Sequence, residues 1–272
     1  MIKVENVSFC NEAGEGAVLR AVSLEVGRGQ YVALVGPNGC GKSTLAKHMN
    51  GLLSPTEGNV WVDGMNTRDR RALREIRRRV GMIFQNPDNQ IVGMTVEEDV
   101  AFGPENLSLA PAEIRQRVNE ALEEVGLAGY ARRIPHTLSG GEKQLLSLAG
   151  VLAMHPRYII LDEPASSLDF CGRERLFSVL DKLRRRGITI IHITHNMDEI
   201  TEADRVVVMN GGQIVLEGSP REVFSLVEQV KALGLGVPKV TELMWRLKQA
   251  GEAVRSDVVT IDEAFIELVG RR

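Results

Sequence analysis

The segment Gly36–Thr44, with the sequence GPNGCGKST, has the residue types and the spacing needed to hold a phosphate chain. It follows the apolar run YVALV and opens a helix, which is the context that a P-loop requires. The glycines let backbone N–H groups curl around phosphate oxygens, and the positive end of the helix faces the same anion. Lys42 would supply positive charge to the β- and γ-phosphates, and Ser43 would offer a hydroxyl to Mg²⁺. The nucleotide-binding residues expected from this loop are Gly36, Pro37, Asn38, Gly39, Cys40, Gly41, Lys42, Ser43 and Thr44.

A second chemical signal is the run YIILDE, which places two acids at the end of an apolar strand. Open α/β sheets bind ligands at the carboxyl ends of their strands. Asp162 is expected to hold Mg²⁺ through water, and Glu163 to act as general base on an attacking water. On its own the pair would indicate two solvated acids, but the P-loop favours the catalytic interpretation.

The stretch LSGGEKQ begins a helix in an unusual way. Ser139 and Glu142 fit a capping box, in which each side chain binds the backbone N–H of the other residue. Gly140 and Gly141 follow the cap, although glycine in a helix costs roughly 0.5–1 kcal/mol relative to alanine. The two glycines suggest that something approaches this helix end too closely for a side chain.

Composition limits the class of protein. The 272 residues carry a net charge of -3 and are 43% hydrophobic, which suits one sizeable α/β core and argues against a general nucleic-acid binder. We expect neither a signal peptide nor a membrane-spanning helix, since no run reaches the roughly 20 apolar residues that spanning requires. Cys10, Cys40 and Cys171 are scattered and odd in number, which fits a reducing cytoplasm.

Strand-like and helix-like segments alternate along the chain. Strands are predicted for VENVSF, AVSLEV, YVALV, VGMIF, YIILD and ITIIHIT, and a hairpin for VVVMNGGQIVLEG. A helix should begin at Pro111 and stop near Gly126. After a possible boundary at Ala232–Pro238, an apolar helical stripe follows: Val240, Leu243, Met244 and Leu247. The stripe is expected to pack on another helix, either from a second subunit or from this chain's own core.

The order of GPNGCGKST, LSGGEKQ and LDEP resembles ATP-binding cassette (ABC) ATPases over roughly residues 1–226. The resemblance implies an α/β P-loop NTPase of ABC type, with a mixed sheet core, an antiparallel β subdomain, a helical signature subdomain and a small C-terminal helical extension. It divides the chain into an ATP-binding domain, 1–230, and a helical dimerisation extension, 231–272. It also implies that the cofactors are ATP and Mg²⁺.

The same resemblance assigns roles to further residues. Two subunits of such proteins close head to tail, so Ser139, Gly140, Gly141 and Glu142 would contact ATP held by the other subunit. Gln85, after the strand VGMIF, would sense Mg²⁺ and the attacking water; His195, after ITIIHIT, would contact the γ-phosphate. Asp169 would lie where the subunits meet. Glu142 departs from the more usual Gln, and its charge is unfavourable beside phosphate unless it folds back on the cap. His192, inside its strand, is interpreted as structural.

The continuation QNPDNQ and the tail GLGVPKVTELMWRLKQAG resemble ATPase subunits of energy-coupling-factor (ECF) transporters. This similarity implies three partners: a second ABC ATPase, identical or paralogous; a transmembrane coupling protein that docks near Gln85; and a membrane subunit that captures a vitamin or transition-metal ion. It implies a peripheral location at the cytoplasmic face of the cell membrane. The alternatives are another class of ABC importer and a soluble, non-transport ABC ATPase.

Two features leave questions open. Seven arginines crowd Thr67–Arg79; we interpret them as a solvated helix face, with membrane docking as the alternative and no role in nucleic-acid binding. Asn11 stands where such ATPases place an aromatic residue on the adenine, so we expect phosphate and Mg²⁺ contacts to carry most of the affinity and Phe9 to pack inward. The alternative is that Phe9 or Tyr31 covers the base.

Overall fold

The computed structural model describes residues 1–10, 16–166 and 168–270. Its strands are β1 (Ile2–Cys10), β2 (Ala17–Val26), β3 (Tyr31–Val35), β4 (Glu57–Val62), β5 (Met65–Asn66), β6 (Val80–Ile83), β7 (Tyr158–Asp162), β8 (Thr189–Ile193), β9 (Arg205–Asn210) and β10 (Gln213–Gly218). Its helices are α1 (Lys42–Met49), α2 (Leu73–Arg79), α3 (Val96–Asn106), α4 (Pro111–Glu124), α5 (Gly140–Leu152), α6 (Phe170–Arg185), α7 (Pro220–Ser225), α8 (Val227–Ala232), α9 (Lys239–Gln249) and α10 (Ile261–Val269). No helix of the described residues has the length and apolar character needed to cross a membrane.

The main sheet has six strands in the order β10-β9-β3-β8-β7-β6. Five strands run parallel to one another: β9, β3, β8, β7 and β6. Strand β10 pairs antiparallel with β9 and forms the predicted hairpin. The strands end earlier than the sequence suggested, at Ile83 in β6 and at Ile193 in β8. Gln85 and His195 therefore lie in the loops, two residues beyond their strands.

The central strands are apolar throughout because both faces of the main sheet are covered. In β3, Ala33 and Val35 face the core formed with helices α3 to α6, while Val32 and Leu34 face a second core. That second core lies between the main sheet, helix α1 and a smaller antiparallel sheet in the order β2-β1-β4-β5. The predicted mixed sheet core and antiparallel subdomain are both confirmed.

Helices α3, α4 and α5 pack together and form the helical part of the fold. Helix α4 begins at Pro111 and ends before Gly126, whose φ of +76° suits glycine. Thr95 and Glu98 form a capping box at the start of α3. The start and stop signals of α4 are why the sequence located that helix, whereas α3 was not predicted.

The C-terminal segment stays attached to the main core. Helix α8 crosses the expected boundary after residue 230, and Leu235 and Val237 are buried in the core with α7. Along the apolar stripe of α9, Met244 is fully buried, and Val240 and Leu247 pack beside it on Val254, Val258 and Ala264. Leu243 is 50% exposed, so packing within the chain accounts for only three of the four stripe residues.

Candidate nucleotide-binding site

The P-loop leaves the carboxyl end of β3 and enters α1 through a tightly enclosed backbone. Gly36 has a φ of +156°, and a Cβ atom there would lie 2.3 Å from the carbonyl oxygen of Met209. Gly41 has a φ of +104°, and its Cβ would lie 2.9 Å from the carbonyl oxygen of Val18. Both positions require glycine for conformation and for space. Strands β9 and β2 thus fix the loop from both sides.

Lys42 is buried at the start of α1, and its ammonium group is held by the loop itself. Its Nζ atom donates to the carbonyl oxygens of Gly36, at 2.7 Å, and Pro37, at 3.0 Å. A lysine in this position is a concentrated positive charge enclosed by backbone dipoles. It is suited to bind phosphate oxygens.

Asp162 ends strand β7 with a buried carboxyl group. Burial raises the pKa of Asp162, while a hydrogen bond with Ser43 and the charges of Lys47 and Lys42 act against that rise. A buried carboxylate beside a hydroxyl is a pair of hard oxygen donors, which is the chemistry that Mg²⁺ selects. Because a divalent cation would offset the cost of burying the carboxylate charge, the residues present fit a Mg²⁺ ion.

Glu163 follows directly, in a strained backbone conformation. Its φ of +53° lies in the left-handed region, which costs a non-glycine residue about 1–3 kcal/mol and is characteristic of functional sites. The backbone N–H of Glu163 donates to the carbonyl oxygen of Ile193 at 2.9 Å, which ties the residue to the end of β8. Its side chain carboxylate lies 2.5 Å from Nδ1 of His195.

Gln85, in the loop after the neighbouring strand β6, lies at the same edge of the sheet as Asp162 and Glu163. The side chain of Gln90 holds the start of this loop, because it accepts from the N–H of Phe84 at 3.3 Å and donates to the carbonyl oxygen of Met82 at 3.1 Å. The P-loop, Gln85 and the two acids after β7 line one cavity, which has a volume of about 480 Å³. Its lining comprises Val18, Asn38, Gly39, Gly41, Lys42, Ser43, Thr44, Gln85, Asp162 and Glu163.

The stretch LSGGEKQ, residues 138–144, is called the signature segment here, and the helix α5 that it begins is the signature helix. The segment has the predicted local structure but lies outside the lining of this cavity. The capping box is confirmed, with the N–H of Ser139 donating to the Glu142 carboxylate at 2.7 Å and the N–H of Glu142 donating to the Ser139 hydroxyl at 3.2 Å. The hydrogen bond from the Ser139 backbone is the main cause that lowers the pKa of Glu142. The Glu142 carboxylate therefore folds back on the cap, the arrangement in which its charge is tolerated.

Packing within the chain does not explain the glycine at position 141 of the signature helix. A Cβ atom on Gly141 would meet Leu168 at 3.7 Å and Gly172 at 3.9 Å, which are ordinary van der Waals distances. Asp169 caps the adjacent helix α6 by accepting from the N–H of Gly172 at 2.7 Å. The signature residues and Asp169 therefore lie together, apart from the P-loop of the same chain.

Several contacts had no signal in the sequence. Val18 lines the cavity from β2, although it lies far from the P-loop in the chain. Lys143 of the signature helix donates to the carboxylate of Asp88 at 2.7 Å and joins that helix to the loop after Gln85. Such contacts form between segments that are distant in the chain, so they are seen only in the folded structure.

The residues considered for covering the adenine base lie in different parts of the structure. Asn11 lies outside the described residues. The ring of Phe9 packs edge-on against His48 of α1, with centroids 4.8 Å apart, so it faces inward. Tyr31 is buried at the opposite end of β3 from the P-loop, and its hydroxyl lies 2.9 Å from Nδ1 of His192. His192 is fully buried, in agreement with its structural interpretation.

The arginine side chains of residues 67–79 bind mainly to other groups of the same chain. Three of its guanidinium groups donate to backbone carbonyl oxygens of neighbouring loops: Arg68 to Pro55, Arg74 to Asn106 and Arg77 to Gly51. Arg79 binds Glu75 at 2.7 Å and the buried carboxylate of Asp63 at 3.0 Å. These contacts favour a structural role for the segment.

Known proteins give the family. The ABC transporter family matches residues 19–166. The chain is 54% identical to the cobalt import ATP-binding protein CbiO of Syntrophus aciditrophicus, over 98% of this chain and 96% of that protein. It is 51% identical to the energy-coupling factor transporter ATP-binding protein EcfA1 of Caldanaerobacter subterraneus subsp. tengcongensis, over 100% of this chain and 99% of that protein.

Two solved structures agree with this result. The structure of CbiO1 from Clostridium perfringens, described as part of the ABC transporter complex cbiONQ, has a TM-score of 0.77 at 35% identity and covers 92% of this chain and 96% of its own. A dimeric post-hydrolysis state of the ATP-binding cassette MJ0796, bound to ADP and Pi, has a TM-score of 0.74 at 31% identity. It covers 80% of this chain and 98% of its own.

The fold and the P-loop site define a P-loop NTPase of the ABC class. The chain belongs to the ABC transporter family, and within it to the ATP-binding proteins of energy-coupling-factor transporters. It is therefore an ATPase that serves transport.

Proposed function

We propose that this chain binds Mg²⁺-ATP in its P-loop cavity and hydrolyses it at an interface between two ATPase subunits, driving uptake of a solute through membrane partners. One observation carries the proposal. Lys42, Ser43, Gln85, Asp162 and Glu163, contributed by three separate segments, line one cavity at the carboxyl edge of the parallel sheet. Ligands bind at that edge in sheets of this kind.

The residues of the cavity divide the work of hydrolysis. The P-loop N–H groups and Lys42 bind the phosphate chain, and Asp162 with Ser43 holds the cation. When bound, Mg²⁺ neutralises charge on the β- and γ-phosphates. Glu163 accepts a proton from water while the water oxygen bonds to the γ-phosphorus and the bond to the ADP oxygen breaks. His195 steadies the Glu163 carboxylate through their 2.5 Å contact, which leaves the rest of its exposed imidazole free to contact the γ-phosphate, and Gln85 orients the water.

A second ATPase subunit completes the site with its signature helix. Ser139 to Glu142 do not line the cavity of their own chain, and Gly141 has room for a methyl group within the chain. An exposed helix N-terminus with glycines in its first turn is suited to bind an anion presented by another molecule. The dimeric state of the similar cassette bound to ADP and Pi supports this arrangement. Asp169 lies at the same face.

The C-terminal helices provide a second contact between the two ATPase subunits. Helix α10 buries only Ala264 within the chain. Large apolar residues remain exposed along α10 and the neighbouring turn of α9: Leu243, Ile261, Phe265, Ile266, Leu268 and Val269. An apolar surface of this kind is typical of an interface. We assign it to a second ATPase subunit, identical or paralogous, within the extension 231–272.

The loop after Gln85 is the proposed docking site for a transmembrane coupling protein. Val92 is 61% exposed, Met94 is 81% exposed, and Phe102 of α3 is 52% exposed. Exposed apolar side chains in the segment that follows Gln85 suit helices that descend from a membrane partner. Docking there would hold this chain at the cytoplasmic face of the cell membrane as a peripheral protein, together with a subunit that captures the solute.

The names of the relatives support a proposal for the class of solute. The name of the Syntrophus relative specifies cobalt import, and those of the EcfA relatives specify energy-coupling factor transporters. We propose a vitamin or a transition-metal ion as the solute. Another class of ABC importer is the second candidate. A soluble, non-transport ABC ATPase is disfavoured by the single P-loop and the exposed docking residues.

Purification of the tagged full-length chain from detergent-solubilised membranes tests this proposal. We expect a transmembrane coupling protein, a small membrane subunit and an ATPase subunit to be recovered together. Substitution of Met94→Asp should release the membrane proteins but leave ATP binding intact, whereas Lys42→Ala should weaken ATP binding and leave assembly intact. Recovery of the chain without any membrane protein would contradict the transport role.

A further inference from the structure

His195 lies in a loop whose position depends on one carboxylate. Oε2 of Glu199 accepts from the hydroxyl of Thr194 at 2.8 Å, and Oε1 of Glu199 accepts from the side-chain amide of Asn196 at 3.0 Å. Thr194 and Asn196 are the residues immediately before and after His195. The two oxygens of Glu199 therefore hold both neighbours of the imidazole-bearing residue.

The same residues also bind one another. The backbone N–H of Asn196 donates to the Thr194 hydroxyl oxygen at 3.0 Å, and the Asn196 side-chain oxygen accepts from the N–H of Asp198 at 3.2 Å. The second bond fixes the orientation of the Asn196 amide, so that its NH₂ group points to Glu199. Together these bonds form a closed network around the backbone of residue 195.

Glu199 is itself held firmly. Its side chain is 9% exposed, and it lies in the turn Met197–Ile200, whose two apolar end residues are buried in the core. Its backbone carbonyl accepts from the hydroxyl of Tyr31 at 3.3 Å. Buried carboxylates with both oxygens hydrogen-bonded are costly to disturb, because loss of the group leaves its donors unpaired.

The imidazole of His195, by contrast, is 64% exposed. Its contact with Glu163 depends on where the backbone places it. We propose that Glu199 is a positioning residue for the hydrolysis reaction, fixing the imidazole of His195 against Glu163 through Thr194 and Asn196. The inference rests on the proposed role of His195.

Steady-state ATP hydrolysis by the full-length chain, with its ATPase partner where one co-purifies, tests the inference. Glu199→Ala should lower kcat by about 10²-fold, the effect of displacing a catalytic group by about 1 Å, while the KM for ATP changes little. Glu199→Gln should retain most activity, since its amide can accept from Asn196 and donate to the Thr194 hydroxyl. Glu202→Ala, an exposed substitution in the same segment, is the control and should behave as wild type.

A double-mutant cycle separates positioning from general stability. In a His195→Ala background, Glu199→Ala should cause no further loss of single-turnover rate, because residues that act through one another are not additive. Additive losses, or loss in Glu199→Gln equal to that in Glu199→Ala, would overturn the inference.

Histidine NMR provides a readout that does not depend on catalysis. The chain has five histidines, so the ring signal of His195 can be assigned from the His195→Ala spectrum. Glu199→Ala should shift or broaden that signal and leave those of the exposed His136 and His155 unchanged; an unaltered His195 signal would overturn the inference. If His195→Ala hydrolyses ATP at the wild-type rate, the proposed role of His195 fails, and this measurement alone decides whether Glu199 positions it.

Discussion

Nδ1 of His195 lies 2.5 Å from Oε2 of Glu163, and the contact follows from the register of two neighbouring strands. Strands β7 and β8 are parallel, and Asp162 pairs with Ile193 at their ends. The next residues of each strand therefore leave the sheet side by side. The proposed base and the residue that steadies it are held together by the sheet, 32 positions apart in the chain.

Gly141→Ala should separate stability from activity. Within the chain the added methyl makes only ordinary contacts, and alanine in a helix gains about 0.5–1 kcal/mol over glycine, so the free energy of unfolding should rise. The ATPase rate should nevertheless fall by about 10²-fold, because the methyl group would hold the γ-phosphate away from the N–H groups of the helix, with the same effect as losing a hydrogen-bond donor to the transition state. Denaturant unfolding and ATP hydrolysis, measured on one preparation, check both expectations.

Gly150→Ala is the matched control. Gly150 lies in the same helix α5, and beyond its chain neighbours and its own helix backbone no atom of the described residues lies within 4 Å of a Cβ atom placed there. It should gain stability and keep full activity. Equal loss of activity in both variants would point to the rigidity of α5 as the cause, not to an approaching phosphate.

Phe265→Asp should separate the two ATPase subunits in the absence of nucleotide. Phe265 is 62% exposed, so the substitution should change the stability of the single chain by no more than about 0.5 kcal/mol. Sedimentation velocity should show a shift toward monomer. Leu52→Asp, which alters an exposed leucine outside the C-terminal helices, should leave the profile unchanged. An unaltered profile for Phe265→Asp would exclude the tail from the interface.

His192 should make the folded state sensitive to acid. Burial lowers the pKa of His192 to about 3, from an ordinary value of 6.5. As pH falls below 6.5, the unfolded chain therefore binds a proton that the folded chain excludes, and stability is lost. From pH 7 to pH 5 this residue should cost about 2 kcal/mol. Urea unfolding at both pH values should show a smaller loss for His192→Gln than for wild type.

The local chemistry of the site could be predicted from the sequence because it is encoded in short segments. The P-loop glycines, the acids after β7 and the capping box of Ser139 and Glu142 each need only neighbouring residues to form. The same holds for the strands, whose apolar runs reflect a sheet covered on both faces.

Contacts between distant segments could not be predicted in this way. Lys143 and Asp88 are 55 positions apart, and the sequence gives no sign that they pair. The stripe on α9 predicted burial but not which chain would provide it, and three of its residues pack within the chain while Leu243 is exposed. Glu199 was missed because its role depends on a turn that follows His195.

Glu163→Gln tests the central claim most directly. The variant keeps the shape of the cavity and its phosphate-binding charges, but an amide cannot accept the proton of the attacking water. Binding of ATP, followed by isothermal calorimetry, should be retained, while the rate of hydrolysis should fall by about 10²–10⁴-fold, the usual contribution of a general base. ATP should then hold two subunits together as a lasting dimer. Hydrolysis near the wild-type rate would contradict the assignment of Glu163 as the base.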